Sequence, residues 1–142
     1  MKLNIIFTEE NTIGNYQNIL LTSKTYTQEI DELPKKSCEH IIITDAINRI
    51  EKDKALEIIS KCVNLLSSGG EITISMVDFD TFCSSYCSGY LDEETKNGII
   101  FNSQCVLEYG DVLQILKQHN VAITSSKTNN LLYLIDGIKD AV

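Results

Sequence analysis

Much that marks a specialised protein is scarce in this chain. One proline and seven glycines in 142 residues exclude a fibrous repeat and argue against a disordered, turn-rich polymer. Positive charge is also short, with twelve Lys and Arg against twenty Asp and Glu and a net charge of −8. A phosphate backbone needs a basic face, so nucleic acid is not an expected partner. The densest basic groups, Lys35–Lys36 and Arg49, Lys52 and Lys54, are interleaved with acids and read as solvated surface. No apolar run approaches the roughly 20 residues of a membrane span. The opening Met1–Phe7 is too short for an export signal and reads as a strand.

Histidine is represented only by His40 and His119, far apart in sequence. Cys83 and Cys87 could share a helix face, but zinc needs two further good ligands and none stands nearby, so no metal is expected. Five scattered cysteines, an odd number, suggest reduced thiols and a cytoplasmic location. Neither a Gly-x-x-x-x-Gly-Lys phosphate loop nor a Gly-x-Ser-x-Gly elbow occurs. Cys–His nucleophilic catalysis finds no partner pair either.

What is present is an ordinary globular composition, 43% hydrophobic and 23% charged, of a length for one domain over residues 1–142. Lys2–Phe7, Asn18–Thr22 and Glu39–Thr44 read as strands, the last carrying Ile41-Ile42-Ile43 as a central strand covered on both faces. Leu56, Ile59, Val63 and Leu66 make one apolar stripe on a helix over Asp53–Leu66, with Asp53 as its cap and Gly69 or Gly70 as its left-handed stop. A strand through Ile72, Ile74 and Met76 follows. A short helix is expected over Thr81–Tyr90, a charged loop or helical turn over Asp92–Asn97, and a helix over Asp111–His119. Val121–Thr124 and Leu131–Asp136 read as closing strands joined by the polar segment Ser125–Asn130. The pattern predicts an α/β sheet, mostly parallel with an antiparallel C-terminal end.

The segment Leu65–Asp80, Leu-Leu-Ser-Ser-Gly-Gly-Glu-Ile-Thr-Ile-Ser-Met-Val-Asp-Phe-Asp, resembles one found in class I S-adenosylmethionine (SAM)-dependent methyltransferases, where a Leu-x-Pro-Gly-Gly turn precedes a strand and Pro-Asp-Phe-Asp follows it. Asp53–Leu56, Gly98–Gln104 and Glu108–Leu113 are similar to further parts of the small members of that family. The resemblance implies a Rossmann-like methyltransferase sheet of reduced size. It also implies a cofactor site, and there the chain departs from the family. A glycine-rich loop should follow the first strand, because the backbone passes against SAM with no room for a Cβ. Here the positions hold Phe7, Thr8, Glu9 and Glu10, bulky or negatively charged where the cofactor's carboxylate needs donors. The acid expected after the second strand, for the ribose hydroxyls, is replaced by Thr22, and Asp31 is the loose candidate for the adenine side.

A segment like Ser-His-Val-Leu-Glu-His in the small methyltransferases reads Thr44-Asp45-Ala46-Ile47-Asn48-Arg49 here, which leaves Asp45 as the one polar candidate for catalysis, without a partner. The expectation is a degenerate methyltransferase fold without cofactor, acting as a binding or assembly module, and its compactness suggests a viral or mobile-element origin. The alternatives are an active small SAM-dependent methyltransferase with an unorthodox loop, and a pocket kept for another small molecule. A protein partner or self-association is expected through Phe79, Phe82, Tyr86 and Tyr90. These aromatics could equally form a core edge.

Overall fold

A computed structural model describes residues 1–140. Its six strands are β1 (Lys2–Ile6), β2 (Gln17–Leu20), β3 (Cys38–Thr44), β4 (Leu66–Val77), β5 (Val121–Asn129) and β6 (Leu132–Lys139), in the spatial order β2-β1-β3-β4-β6-β5. β1 to β4 are mutually parallel, and β6 lies antiparallel between β4 and β5. The helices are α1 (Tyr26–Asp31), α2 (Lys52–Leu65), α3 (Phe79–Cys87), α4 (Glu93–Asn102) and α5 (Tyr109–Gln118). Among the described residues no helix is long and apolar enough to cross a membrane.

The sheet has two chemically distinct faces because side chains alternate along each strand. On one face the pairing register lines up Ile19, Ile5, Ile43, Ile74 and Ile135 across five strands, all fully buried. Helices α1, α2 and α5 touch one another and pack there through Ile30, Ile59, Val63, Val112 and Leu116. On the other face the neighbouring row reads Asn18, Asn4, Ile42, Thr73 and Asp136, tied by Asn4 Nδ2 donating to Asn18 Oδ1 at 2.9 Å and Thr73 Oγ1 donating to Asp136 Oδ1 at 2.8 Å. Ile42 is therefore only half-buried, and the expectation of a strand covered equally on both faces is corrected. Helices are concentrated on one side.

Other boundaries move for identifiable reasons. Asp53 does not cap α2; Glu51 stands at the cap position without a side-chain bond, and Asp53 lies in the first turn, where its charge still favours the helix dipole. Leu66 leaves the helix and pairs with Cys38, so the double glycine serves a bulge in β4 rather than the helix stop. There Gly69 has φ +76°, and a Cβ on Gly70 would meet the Ser67 and Cys38 carbonyl oxygens at 2.9 and 3.0 Å. Asp92 accepts from the Thr95 amide at 2.7 Å and starts a full helix, Glu93–Asn102, which extends the loop or helical turn expected over Asp92–Asn97. The polar segment Ser125–Asn129 is strand, with the turn reduced to Asn130, φ +57°, and Leu131. β5 is an edge strand, and its outward positions tolerate Ser, Thr and Lys.

The two faces predict different tolerance to charge. Ile43→Asp would put an unpaired carboxylate beneath the helices and should abolish soluble expression, whereas Ile42→Asp should fold with a loss of about 1–3 kcal/mol. Urea denaturation of the two variants checks this; equal outcomes would mean that the faces are equally covered.

Candidate functional site

Up to β4 the parallel strands follow the order 2-1-3-4, so the chain moves outward from β1 in one direction and from β3 in the other. Open α/β sheets take ligands at such a switch point, in the crevice beyond the carboxyl ends of the strands. The crevice here lies between Phe7–Thr8, after β1, and Asp45, after β3.

On the β1 side, residues 7–16 connect two parallel strands with a single 3-10 turn, Glu9–Asn11, and no α-helix. The connection is held down by a polar network. Asn4, fully buried, donates to the Asn11 carbonyl at 2.9 Å as well as to Asn18. Asn18 Oδ1 accepts from the Ile13 amide at 3.0 Å, and its Nδ2 donates to the Ile13 and Tyr16 carbonyls at 3.1 and 3.0 Å. The Asn11 and Thr12 amides are used within the turn, bonded to the Thr8 and Glu9 carbonyls. Glu9 and Glu10 are exposed, and the partly buried Phe7 ring lies 5.4 Å from the Arg49 guanidinium carbon.

On the β3 side, Asp45 adopts φ +41°, an uncommon conformation that Asp tolerates better than most residues. Its amide donates to Ser75 Oγ at 2.9 Å, and its Oδ2 pairs with Arg49 at 3.1 Å. The next residues form a 3-10 turn, Ile47–Arg49, in which Asn48 is 2% exposed. Asn48 fastens the segment after α4: its carbonyl accepts from the Gln104 amide at 2.8 Å, and its Nδ2 donates to Ser103 Oγ at 3.4 Å. Asp45, Asn48 and Arg49 border a cavity of about 240 Å³ that α4 closes through Thr95 and Ile99. Among the described residues, Asn4 Oδ1, Asp45 Oδ1 and Asn48 Oδ1 are buried side-chain oxygens without a hydrogen-bond partner, and two of the three belong to residues on this cavity.

The structure thus brings Phe7, Thr8 and Asp45 to one crevice, with Arg49 and Asn48, which sequence reasoning does not single out. Thr22 is exposed just beyond β2. Asp31 is not part of the site: it ends α1, a helix returning towards the amino ends of the strands, and pairs with Lys61 of α2 at 2.8 Å. Of the aromatic group, Phe82 is turned inward at 7% exposure, Phe79 is partly buried, and Tyr86 and Tyr90 are exposed.

Among the described residues, neither histidine stands beside Asp45. His40 bonds Tyr16 at 2.6 Å on the sheet, and His119 bonds the Ile115 carbonyl at 2.9 Å at the end of α5. Burial raises the Cys38 and Cys105 thiols, and with Cys38 beside it pushes Cys62 up to about 12, so these sulfurs stay protonated at neutral pH. No group of three or more His, Cys, Asp or Glu able to hold a metal occurs among the described residues.

Solved structures share this architecture. A SAM-dependent methyltransferase from Archaeoglobus fulgidus superposes with TM-score 0.63 at 10% identity, over 97% of this chain and 86% of that one. An O-methyltransferase family protein from Burkholderia thailandensis gives 0.65 at 10%, over 99% of this chain and 51% of that one. The chain has the methyltransferase fold. A complex between the Haloferax volcanii Trm112 methyltransferase activator and a methyltransferase also contains a similar chain, with TM-score 0.61 at 9% identity over 99% of this chain and 83% of that one. No family model matches the sequence, and no curated protein matches it. This methyltransferase-fold chain spans about half the length of the Burkholderia protein.

The Archaeoglobus protein is named for SAM, and at the end of β1 this chain carries Phe7 and an acidic 3-10 turn. A carboxylate placed there would meet the Phe7 ring and the carboxylates of Glu9 and Glu10, and the Asn11 and Thr12 amides are bonded within the turn. Size and charge both oppose it at this position.

Beside the crevice, Asp78 closes the start of α3. Burial would raise its pKa, but bonds from Thr128 Oγ1 at 2.8 Å and from the Thr81 hydroxyl and amide outweigh it and hold the carboxyl below its ordinary value of 3.8. A depressed folded-state pKa contributes stability that is present above the unfolded value and lost as pH falls through the folded one. Asp78→Asn should therefore be less stable than wild type by about 1 kcal/mol at pH 7, and the gap should close below pH 3.8. Urea midpoints across that range check it; a gap constant with pH would show that the carboxylate charge contributes nothing.

Proposed function

We propose that this chain is a binding module built on the methyltransferase fold, without SAM-dependent catalysis. One observation carries the reading: the strand that should open into a glycine-rich turn runs instead into Phe7 and an acidic 3-10 turn pinned by Asn4 and Asn18. Arg49 and Phe7 occupy the mouth of the crevice, and Asp45 is committed to Arg49. Bulk and like charge each oppose the cofactor, and among the described residues neither histidine stands beside Asp45 to form a general base–acid pair with it.

The test is direct. A ligand with a Kd of about 10 μM present at about a hundredfold excess would stabilise the native state by about 2.7 kcal/mol. Millimolar SAM or S-adenosylhomocysteine should leave Tm unchanged and give no heat in calorimetry. A clear shift with either would overturn the proposal in favour of an active small methyltransferase.

A second reading rests on the unpartnered oxygens of Asp45 and Asn48, residues that border the 240 Å³ cavity. Buried acceptors without donors are uncommon, and a small molecule bearing amine or amide hydrogens would satisfy them. In a screen of small amines and amides, a binder at this site should raise the Tm of wild type and not of Asn48→Leu. Equal shifts in both would place binding elsewhere.

A further inference from the structure

Helix α4 is poorly explained by the chain alone. It is ten residues long, contains Gly98 and buries none of its residues. Isolated helices of that length are marginal, and most helices in proteins are held by an apolar face packed on something. Yet its last turns carry Ile99, Ile100 and Phe101, and Ile100 is 48% and Phe101 79% exposed. Val106, on the segment that follows, is 54% exposed, and Tyr86 and Tyr90 of the α3 end are 45% and 85% exposed. Phe82 forms the floor, edge-on to Tyr86 at 6.0 Å, and Lys96 reaches over the Tyr86 ring at 4.8 Å to join the two helices. Phe79, Phe82, Ile99, Ile100, Cys105 and Val106 line a groove of about 290 Å³ between them. Ile99, Ile100 and Val106 thus share one groove with Phe79 and Phe82, and Phe101 is exposed next to Ile100 on the helix.

Charge identifies what covers it. Asp80 and Glu108 stand beside the groove, sharing a neighbouring pocket with its Phe79 and Val106. Asp92, Glu93 and Glu94 open α4, and Lys96 is the one basic residue among positions 78–108. A second copy docking through a two-fold axis would press this acidic rim against itself. An anionic membrane surface or a nucleic-acid backbone would be repelled by the same carboxylates. A protein segment with apolar anchors flanked by Lys and Arg meets both features at once.

We infer that the α3–α4 groove is the docking site for a basic, amphipathic helical segment of another protein, anchored on Ile100 and Val106 and steered by the carboxylates of Asp80, Glu93, Glu94 and Glu108. This deepens the binding-module reading and rests on it. It also replaces self-association by a partner of opposite charge, and it moves the anchors from Phe82, which faces inward, to the end of α4 and the segment after it. Aromatic and aliphatic anchors in a desolvated pocket dominate such interfaces, while rim charges act mainly on encounter and salt dependence.

The probe is a synthetic Lys/Leu amphipathic helical peptide, with a Glu/Leu peptide of the same pattern as control, titrated into the whole chain and followed by fluorescence anisotropy. The expected result is saturable binding of the basic peptide that weakens as salt rises, and no binding of the acidic one. Ile100→Ser with Val106→Ser should weaken binding by about tenfold or more, and Glu93→Gln with Glu94→Gln should reduce the salt dependence. Both pairs are exposed, so circular dichroism and Tm should match wild type.

Failure of the basic peptide to bind, equal binding of the acidic peptide, or unchanged affinity in the Ile100, Val106 variant would each overturn the proposal. So would sedimentation showing a dimer that the same variant dissolves, because a second copy would then cover the groove. None of these outcomes bears on SAM. A Tm shift with SAM would remove the non-catalytic reading whatever the peptide does, and a missing peptide complex without a SAM shift would remove only this partner.

Discussion

The row Ile19, Ile5, Ile43, Ile74 and Ile135 is the constraint on which the rest of the structure depends. Each of these side chains is fully buried, and each lies opposite the next in the hydrogen-bonded register. Burying one isoleucine contributes about 1.5–3 kcal/mol, so a slipped strand would forfeit the whole row at once, because side chains alternate with a period of two. Fixing that register sets where the strands end. It brings the end of β1 and the end of β3 level, and so places Phe7 beside Arg49 and opens the crevice at Asp45. The position of the site follows from the core. Its chemistry does not.

The same register puts Asn4 opposite Asn18 on the other face, and this second consequence is chemical. Parallel strands normally need a crossover of a dozen or more residues, commonly with a helix. The connection through residues 7–16 manages with less because two asparagine side chains satisfy backbone groups that a helix would satisfy internally. A buried polar network of this kind specifies one loop conformation when its members are paired. It also removes the helix N-terminus that would otherwise face an anionic ligand group. The short crossover and the absence of an α-helix N-terminus after β1 are one structural feature.

Much of the sheet was legible in sequence because β-branched runs such as Ile41–Ile43 and the alternation Ile72, Ile74, Met76 report burial directly. The stripe through Ile59 and Val63 did the same for α2. Boundaries were less legible where one residue type serves two purposes. Gly69 and Gly70 suit a helix stop and a strand bulge equally, and only the pairing of Leu66 with Cys38 decides between them. Ser125–Asn129 looked like a loop because an edge strand exposes the same polar residues that a loop does. In the candidate site, the unsuitable character of Phe7, Glu9 and Glu10 could be read from the residues themselves. Arg49 and Asn48 could not, since their roles come from the 3-10 turn after β3 and from a segment more than fifty residues away. Asn4 and Asn18 carried a faint signal, a polar residue inside each of two apolar strands, which reads as noise until the register pairs them. The exposed end of α4 was missed because Ile99-Ile100-Phe101 following a charged turn looks like a strand or a core segment, and nothing local says that its neighbours leave it uncovered.

Arg49 is shared between the Asp45 carboxylate and the Phe7 ring, and Asp45 holds a left-handed backbone conformation fixed by Ser75 from the next strand. A non-glycine residue in that region costs about 1–3 kcal/mol and persists only when its surroundings over-determine it. The mouth of the crevice is therefore fixed by contacts from the ends of β1, β3 and β4 together. Those contacts give the chain leaving β3 one path, and with it the placement of Asn48. Through Asn48 that path sets the segment after α4, whose amide and hydroxyl contacts hold the apolar end of α4 in place. The crevice and the exposed groove share one rigid base.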